Sequence, residues 1–222
     1  MTENSNAIQI RDMTLLDIDG VVDVHRHCFP ASISIFSVLK PGIVKRYYEL
    51  FVSEPESLGA VLVESGTERI AGFTAGTLRP GIKKRFAIRY CIPLCWSILL
   101  GCLTSDAVRK VVYDHLKSIP KMFTEKKGDK FAEAEGTPAN GPIGFFMPIA
   151  IHPDFRGGGN AVKLAEYLTN QFFKRGVVRI RGGGITTDNI ASRKLFEERL
   201  GWNSKVVSDK WVAVWIDRSK GK

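Results

Sequence analysis

The chain has 222 residues, of which 44% are hydrophobic, and its formal net charge is +9 at neutral pH. This length can bury one substantial core, so we expect a single domain over residues 1–222. A core of that size does not need a disulfide scaffold, and the four cysteines lack the paired C-x-x-C spacing of a zinc site. We therefore expect free thiols that serve mainly as apolar packing, and no metal site.

The first residues, Met-Thr-Glu-Asn-Ser, lack the basic and apolar regions of a secretory signal, which predicts a cytoplasmic protein. Lysine and arginine are dispersed, with small clusters at 83–85, 126–127 and 179–181. No recognised nucleic-acid-binding module accompanies them, so we interpret the positive charge as solvated surface and expect no nucleic-acid partner. A homodimer is compatible with this sequence.

The N-terminal part predicts two helices placed among three strands. A short strand at 8–11 is followed by a helix that opens at 14–17 with a pair resembling a capping box. A second helix covers 43–51. Strands at 58–64 and 69–77 come next, and Ser65-Gly66-Thr67-Glu68 forms a hairpin turn between them.

An insertion at 80–141 separates these elements from the rest. Residues 82–103 are basic and then apolar, but the apolar run is shorter than the about 20 residues that span a bilayer, and Pro93 interrupts it. We favour a buried or lid helix here over an interfacial helix that touches anionic lipid through 83–100. A second inserted helix opens at 104–106 with an apolar face that comprises Val108, Val111, Val112, Leu116 and Ile119, and the polar stretch 124–140 resembles a flexible tether.

After the insertion, strands alternate with helices. The pattern predicts a strand at 143–151, a helix at 159–175, a strand at 177–185, a helix at 189–200 and a last strand at 210–216. Glycines inside a strand mark a bulge or a close backbone approach, so the run Arg181-Gly182-Gly183-Gly184 is either such a strand or a second flexible loop.

The turn between the strand at 143–151 and the next helix has the chemistry of an anion site. Gly157, Gly158 and Gly159 allow backbone amides to face a ligand, and the helix behind them presents its unpaired N–H groups there. Arg156 adds a charged fork. The Walker ending Gly-Lys-Ser/Thr and the G-x-G-x-x-G dinucleotide fingerprint are both missing, so those two nucleotide-binding classes are excluded.

Two segments resemble motifs of the GCN5-related N-acetyltransferase (GNAT) superfamily. Arg156, Gly159 and Ala161 match its pyrophosphate motif, Arg/Gln-x-x-Gly-x-Gly/Ala, and 188–202 resembles its N-x-x-A-x-x-L-Y-E helix. The resemblance implies an α/β GNAT-like domain with a mixed central sheet, splayed fourth and fifth strands and flanking helices, here with a helical insertion before the cofactor strand. It also implies acetyl-CoA as the cofactor.

The resemblance further implies which residues hold the cofactor. The pantetheine would add to the cofactor strand like another strand, and the backbone N–H of Ile151 would be the oxyanion donor. The predicted cofactor contacts are Ile149, Ala150, Ile151, Arg156, Gly157, Gly158, Gly159, Asn160, Ala161, Asn189, Ser192 and Phe196. Phe196 stands where the family usually has a tyrosine acid, so the usual proton donor is missing.

A general base is harder to assign. The strand at 143–151 carries no carboxylate, and His25 and His27, in a segment similar to the H-x-x-F-P of some family members, have the right intrinsic pKa range. His152 and Asp154 are expected on the solvent side of their turn. A water relay is equally consistent with the sequence.

The sequence as a whole predicts an acetyl-CoA-dependent acyltransferase that acetylates a primary amine of a small molecule, such as an amino sugar or another metabolite. Two alternatives stay open. In the first, the acceptor would be a protein amine. In the second, the chain would be a non-catalytic CoA-binding sensor or scaffold, and the missing tyrosine and missing base favour this second alternative.

Overall fold

The computed structural model describes residues 8–30, 34–106, 108–113, 132–136 and 139–218. These residues form a mixed seven-stranded sheet in the order β1-β2-β3-β4-β5-β7-β6. The strands are β1 Ile8–Asp12, β2 Ser57–Glu64, β3 Ile70–Thr77, β4 Ile143–Ile151, β5 Arg179–Thr186, β6 Asn203–Ser208 and β7 Trp211–Asp217. Neighbouring strands are antiparallel except β4 and β5, which are parallel.

Six α-helices with defined bounds surround this sheet. They are α1 Ile18–Cys28, α2 Pro41–Ser53, α3 Ile82–Arg89, α4 Cys91–Thr104, α5 Asn160–Lys174 and α6 Ile190–Arg193. The last of these continues as a π-helix, Lys194–Arg199. Residues 108–113 and 132–134 are also helical.

The first helix begins as the sequence predicts. A 3-10 turn, Leu15–Asp17, leads into α1, and the Asp17 carboxylate accepts the backbone N–H of Thr14 at 2.7 Å. Arg11 of β1 donates two hydrogen bonds to the same carboxylate, at 2.7 and 2.8 Å. This ion pair is largely buried on the Asp17 side, so it ties the start of α1 to the edge of the sheet.

The two faces of the sheet carry different helices because side chains alternate along each strand. On one face, Val61 and Phe73 pack with α1 and α2, whose buried residues include Tyr48 and Phe51. On the other face, Ala60 and its neighbours pack under α5, which buries Leu164, Leu168 and Phe172. Strand β4 is the central strand of the sheet and lies between these two layers of helices.

The first part of the insertion forms two helices, not one. Ile82 and Phe86 of α3 join the core beneath α1 and α2, and Tyr90, Leu94 and Ile98 pack against its edge. Ser97, buried in the middle of α4, accepts the backbone N–H of Lys40 at 3.4 Å. The remaining face of α4 is exposed, so the expectation of a buried helix is wrong for that face.

The structure agrees with most predicted elements and adds one strand. Every predicted strand lies within two residues of an observed one, and the predicted helices at 43–51, 159–175 and 189–200 coincide with α2, α5 and α6 with its π extension. The sequence analysis missed β6, a half-exposed edge strand whose residues Asn-Ser-Lys-Val-Val-Ser offer little apolar pattern. Leu116, Ile119 and most of the predicted tether lie outside the described residues.

Within the described residues, no single helix combines the length and apolar character needed to cross a membrane. Only α3 and α4 together meet those two requirements, and they are bent by 84° at their junction.

Candidate functional site

The central feature of the candidate site is a gap between β4 and β5. The two strands pair from Ile143↔Arg179 to Phe146↔Gly182, and within 139–218 the pairing stops there although both strands continue. Beyond Phe146, β4 stays paired with β3 while β5 stays paired with β7. The strands therefore part, which is the splay that the sequence analysis expected from the GNAT resemblance.

A bulge in β4 marks the point of divergence. Thr74 pairs with Ile149 and Gly76 with Phe146, so Met147 and Pro148 together oppose one residue of β3. Pro148 has no N–H to donate, which suits a position where the ladder is interrupted.

The register decides which backbone groups of β4 face the gap. His152 donates its N–H to Ala71 at 2.8 Å, so Ala150, two residues earlier, also directs its N–H and carbonyl toward β3. Ile149 and Ile151 direct theirs to the opposite side, into the gap. Of the three residues predicted to bind pantetheine through the backbone, two are therefore oriented for it and Ala150 is not.

The glycines of β5 form a bulged strand and not a loop. The register with β7 shifts between Gly182 and Ile185, so Gly183 and Gly184 are the bulged pair. Gly182 lies so close to β7 that a Cβ there would overlap the Cγ2 of Val214. The bulge turns β5 away from β4 at the place where the gap opens.

The end of the gap leads into a glycine turn. A 3-10 turn, Pro153–Phe155, is followed by Gly157, Gly158 and Gly159 with φ of 100°, 57° and 75°. These left-handed values favour glycine, and all three residues are exposed. Asn160 then begins α5, and its side-chain amide donates to the Phe155 carbonyl at 2.9 Å, which holds the turn against the helix.

Arg156 lies between this turn and the end of β4. It is exposed, and its Nε lies 3.4 Å from the carbonyl oxygen of Ile151. The same carbonyl accepts the thiol of Cys28, from the end of α1, at 3.2 Å. Burial raises the pKa of the Cys28 thiol, and the Arg156 guanidinium partly offsets that effect. Arg156 thus lies beside the glycine turn, and its contact with a pyrophosphate stays a prediction. Cys28 is a neighbour that no sequence motif indicates. All four cysteines are free thiols, as expected, but Cys91 and Cys95 are exposed, so the expectation of apolar packing is wrong for these two.

The sequence analysis expected His152 on the solvent side of its turn, and this expectation is wrong. Its residue is 6% exposed, because the ring packs beside those of His27 and Phe155, with centroids at 4.9 and 6.2 Å. Arg69 places Nη2 3.4 and 3.5 Å from the two ring nitrogens and pairs with Asp154 at 3.0 Å. A residue just before a proline turn is expected to be exposed, but residues of β3 and α1 cover His152 in the fold. Asp154 is exposed, as expected.

His25 lies in the core of the α1–α2 layer. It is 4% exposed, and its Nδ1 lies 2.6 Å from the hydroxyl of Tyr48. Its Nε2 lies 3.4 Å from the hydroxyl of Ser34. Burial lowers the pKa of His25 to about 4, and the positive charge of Lys83 adds to the effect. The imidazole is therefore neutral at physiological pH and engaged on both nitrogens.

His27 lies at the exposed end of α1, beside the end of β4. Its Nδ1 lies 2.9 Å from the backbone carbonyl of Asp23. The ligand atoms of Asp23, His27 and His152 lie within 4.8 Å of one another, the one group of this kind found among the described residues. The Arg69 guanidinium already occupies the surroundings of the His152 ring, and its positive charge opposes a bound cation.

The second motif closes the other side of the gap. Asn189 caps α6 by accepting the backbone N–H of Ser192 at 3.0 Å, and Ser192 is half-buried. Phe196 is buried in the π-helix, edge-on to Phe146 of β4 at 5.5 Å and tilted against Trp202 at 4.9 Å. The Phe196 ring thus lies next to the last paired residue of β4, at the apex of the gap.

The insertion is anchored to β5 through a carboxylate that the sequence analysis missed. Glu135 is buried, and its oxygens lie 2.6 Å from Arg181 Nε and 3.3 Å from Arg179 Nη1. Arg179 also donates to Asp217 of β7 at 2.6 Å. A single charged residue in a polar stretch gives no sequence signal of burial, so only the fold identifies this contact.

The mixed sheet, the parted central strands and the glycine turn at a helix N-terminus define an acetyltransferase-type α/β fold. Residues 119–202 match the model of the acetyltransferase (GNAT) family. This segment contains both predicted motifs, so the predicted resemblance to the GNAT superfamily is confirmed, and with it the predicted enzyme class, an acyltransferase that uses acetyl-CoA.

Solved structures with the same fold are similar over almost the whole chain. YncA from Salmonella typhimurium, described as a putative acetyltransferase with its cofactor acetyl-CoA, has 15% identity and a TM-score of 0.57, over 96% of this chain and 94% of its own. The aminoglycoside N-acetyltransferase AAC(6')-Iy in complex with CoA has 12% identity and a TM-score of 0.57, over 93% and 94%. The ribosomal-protein-S18-alanine N-acetyltransferase from Escherichia coli has 15% identity and a TM-score of 0.51, over 94% and 91%.

At these identities the similarity establishes the fold alone, and the three proteins differ in the acceptors that their names state. No protein of curated function matches the chain by sequence.

Proposed function

We propose that the chain transfers an acetyl group from acetyl-CoA to a primary amine of a small molecule. The observation that carries this proposal is the continuity of the site: the gap between β4 and β5 exposes the backbone of Ile149 and Ile151 and runs directly into the glycine turn at the start of α5. One extended ligand with a pyrophosphate in its middle fits both parts.

The cofactor would be held mainly by backbone groups. The first turn of α5, including Ala161, leaves unpaired N–H groups and a positive dipole end toward the pyrophosphate. Gly157–Gly159 add further amides, and the Arg156 guanidinium supplies a charge-assisted contact. The pantetheine would lie along β4 with its amides bonded to Ile149 and Ile151, and Asn189 and Ser192 would flank the mouth of the gap.

The reaction needs a neutral amine within reach of the thioester carbonyl. The amine nitrogen attacks that carbon, the C–N bond forms, the C–S bond breaks, and the nitrogen loses one proton as the CoA thiolate gains one. A backbone N–H on the gap side of β4 stabilises the oxyanion, and Ile151 is our candidate donor. Phe196 has no proton to give. A thiol of ordinary pKa, about 8.5, still leaves at a cost of only roughly 1.4–2 kcal/mol at neutral pH, which water can absorb.

Proton removal is assigned to water as the most direct route. A base with a pKa of about 4, as His25 has, accepts a proton from an ammonium group poorly, and its two nitrogens already have partners. His27 lies beside His152, at the end of β4 that leads into the glycine turn. It would therefore be nearer to the pyrophosphate than to the apex of the gap. Direct catalytic roles for both histidines remain predictions.

Calorimetric titration of acetyl-CoA tests the cofactor site. We expect micromolar binding that Arg156→Ala weakens about tenfold or more, because it removes a charged pyrophosphate contact. Arg109→Ala is the matched control, since Arg109 is also exposed and its ion-pair partner among the described residues is Asp106, three positions away in the insertion. Absence of binding to folded wild-type protein, or equal weakening by both substitutions, would contradict a pyrophosphate site at Arg156 and the glycine turn.

A screen of small amines for release of CoA thiol then tests turnover. Two outcomes would redirect the proposal to the alternatives. Tight acetyl-CoA binding without thiol release for any small amine or peptide would identify a CoA-binding module, which Phe196 and the neutral His25 favour. Release with peptide amines alone would identify a protein acceptor. A cytoplasmic location and a homodimer also stay predictions.

A further inference from the structure

Helix α4 is apolar on all sides although it lies at the surface. Its sequence, Cys-Ile-Pro-Leu-Cys-Trp-Ser-Ile-Leu-Leu-Gly-Cys-Leu-Thr, contains no charged residue. One face, with Leu94, Ser97 and Ile98, packs on the α1–α2 layer. A helix that is apolar all round normally lies inside a protein or against lipid, and half of this one has no protein against it among the described residues.

The outward face of α4 forms a continuous apolar stripe. Ile92, Trp96, Leu99 and Leu103 follow one another at helical spacing and are 79%, 60%, 50% and 70% exposed. Ile88 of α3, also largely exposed, extends the stripe past the bend. Monomeric proteins rarely leave contiguous apolar patches of this kind, and such patches mark interaction sites. We name these five residues the apolar stripe.

Positive charge accompanies the stripe. Residues 79–105 contain five basic residues and no acidic residue. Arg79 and Arg85 pair with glutamates of the body, at 4.0 and 2.8 Å. Lys84 and Arg89 are exposed, and the guanidinium groups of Arg89 and of Arg46 on α2 flank the ring of Tyr90, at 5.6 and 5.5 Å from its centroid. We name Arg46, Lys84 and Arg89 the basic rim.

We propose that the apolar stripe and the basic rim bind the surface of an anionic membrane. An apolar helical face beside lysine, arginine and tyrosine, with a tryptophan in the stripe, has the composition of an interfacial helix: the stripe enters the acyl boundary while the basic rim meets lipid phosphates. The 84° bend between α3 and α4 suits contact in the plane of the interface.

Charge argues against a second copy of this chain as the occupant of the stripe. The chain carries a net charge of +9, and the face that would pair with itself is flanked by basic side chains and lacks acidic ones. Anionic lipid is complementary to this face. This inference goes beyond the proposed function and does not depend on it.

Flotation of the full chain with vesicles tests the inference. We expect binding to vesicles of phosphatidylcholine with about one third phosphatidylserine, little binding to pure phosphatidylcholine, and weaker binding as salt increases. Of the four tryptophans, Trp96 is largely exposed, Trp202 is buried, and Trp211 and Trp215 are half-buried, so the part of the fluorescence change that Trp96→Phe removes reports insertion. A blue shift and quenching by lipids brominated on their acyl chains are expected with anionic vesicles.

Two variants separate the apolar and the electrostatic contributions. Leu99→Gln with Leu103→Gln shortens the stripe and keeps the Trp96 reporter, and Lys84→Gln with Arg89→Gln weakens the rim. Each pair should lower vesicle affinity about tenfold or more. Ile190→Gln with Val206→Gln is the matched control, because these residues are 63% and 62% exposed on other elements. The control should bind as the wild type does.

The outcomes distinguish this inference from the proposed function, since acetyl-CoA binding is measured in parallel and serves as the folding check. Vesicle binding lost in the stripe and rim variants, with acetyl-CoA binding intact, supports the inference. No vesicle binding by wild-type protein that binds acetyl-CoA would overturn it. Self-association in the absence of lipid, abolished by the stripe variant, would also overturn it by assigning the stripe to a second copy.

Discussion

The imidazole of His25 and the hydroxyl of Tyr48 lie 2.6 Å apart inside the α1–α2 layer, where both residues are nearly inaccessible to water. The two groups are hydrogen-bonded to each other, and the tautomer of the neutral ring decides which of them donates. Burial raises the pKa of Tyr48 well above its usual value, which keeps the hydroxyl protonated.

This pair predicts an acid-sensitive fold. The folded-state pKa of His25, about 4, lies below the value near 6.5 of the unfolded chain. The unfolded chain therefore binds the proton first as pH falls, and the free energy of unfolding should decrease between pH 6.5 and 4, by up to roughly 3 kcal/mol from this group. Denaturant unfolding at several pH values measures the slope.

His25→Gln should remove most of that slope, and a proton NMR titration of the wild-type His25 ring should give its low pKa directly. A ring that titrates near 6.5 would contradict the buried, neutral state. Tyr48→Phe should destabilise the fold at neutral pH by about 1–3 kcal/mol, because it leaves Nδ1 without a partner.

The glycine turn allows a matched comparison of backbone strain with cofactor binding. Gly157 and Gly66 both have φ near 100°, and a Cβ at either would meet no atom within 4 Å. Alanine at each position should cost about 1–2 kcal/mol of stability, since the left-handed conformation is strained for alanine. Only Gly157→Ala should also weaken acetyl-CoA binding, about tenfold, in a calorimetric titration. Equal affinities in the two variants would place the pyrophosphate elsewhere.

The close approach of β5 and β7 predicts an energetic coupling between two residues. Gly182→Ala should destabilise the protein by about 1–3 kcal/mol, because the new methyl overlaps the buried side chain of Val214. Val214→Ala leaves room for that methyl. The double variant should therefore be more stable than the sum of the single effects by at least about 1 kcal/mol, as measured by a denaturant double-mutant cycle. Additive effects would contradict the overlap.

The buried carboxylate of Glu135 predicts that a conservative substitution at this position lowers the stability of the fold strongly. Glu135→Gln keeps the shape but removes the charge that faces Arg179 and Arg181. We expect the free energy of unfolding to fall by about 2–3 kcal/mol. This is less than when a buried ion pair without other partners is broken, because Asp217 still neutralises Arg179. Glu133→Gln, at an exposed position two residues earlier, should change stability by less than about 0.5 kcal/mol. Similar losses in both variants would argue against the buried network.

Phe196→Tyr tests the chemistry of the missing acid. A hydroxyl at the apex of the gap would supply the proton that the thiolate now takes from water, so we expect acetyl transfer to accelerate by about three- to thirtyfold near neutral pH. The accelerated rate should fall again at high pH as the tyrosine ionises. An unchanged rate and pH profile would show that thiolate departure does not limit the reaction, or that Phe196 does not face the thioester.

Much of the fold could be predicted because its elements have strong local patterns. The period of α5, the apolar run of β4 and the capping pair before α1 depend on neighbouring residues only, and all three are observed. The glycine turn was recognised for the same reason, since three consecutive glycines after a strand and before a helix restrict the conformations available. The strand β6 was missed because an exposed edge strand needs little apolar alternation.

Most strands and helices, the glycine turn and the phenylalanine at position 196 can be recognised from the sequence, since each depends on a short stretch of chain. The orientation of each backbone group of β4, the burial of His25 and His152, the contact of Glu135 with β5 and the uncovered face of α4 follow from the tertiary structure alone. These properties depend on residues far apart in the sequence, and burial, register and pKa arise only when the folded chain brings them together.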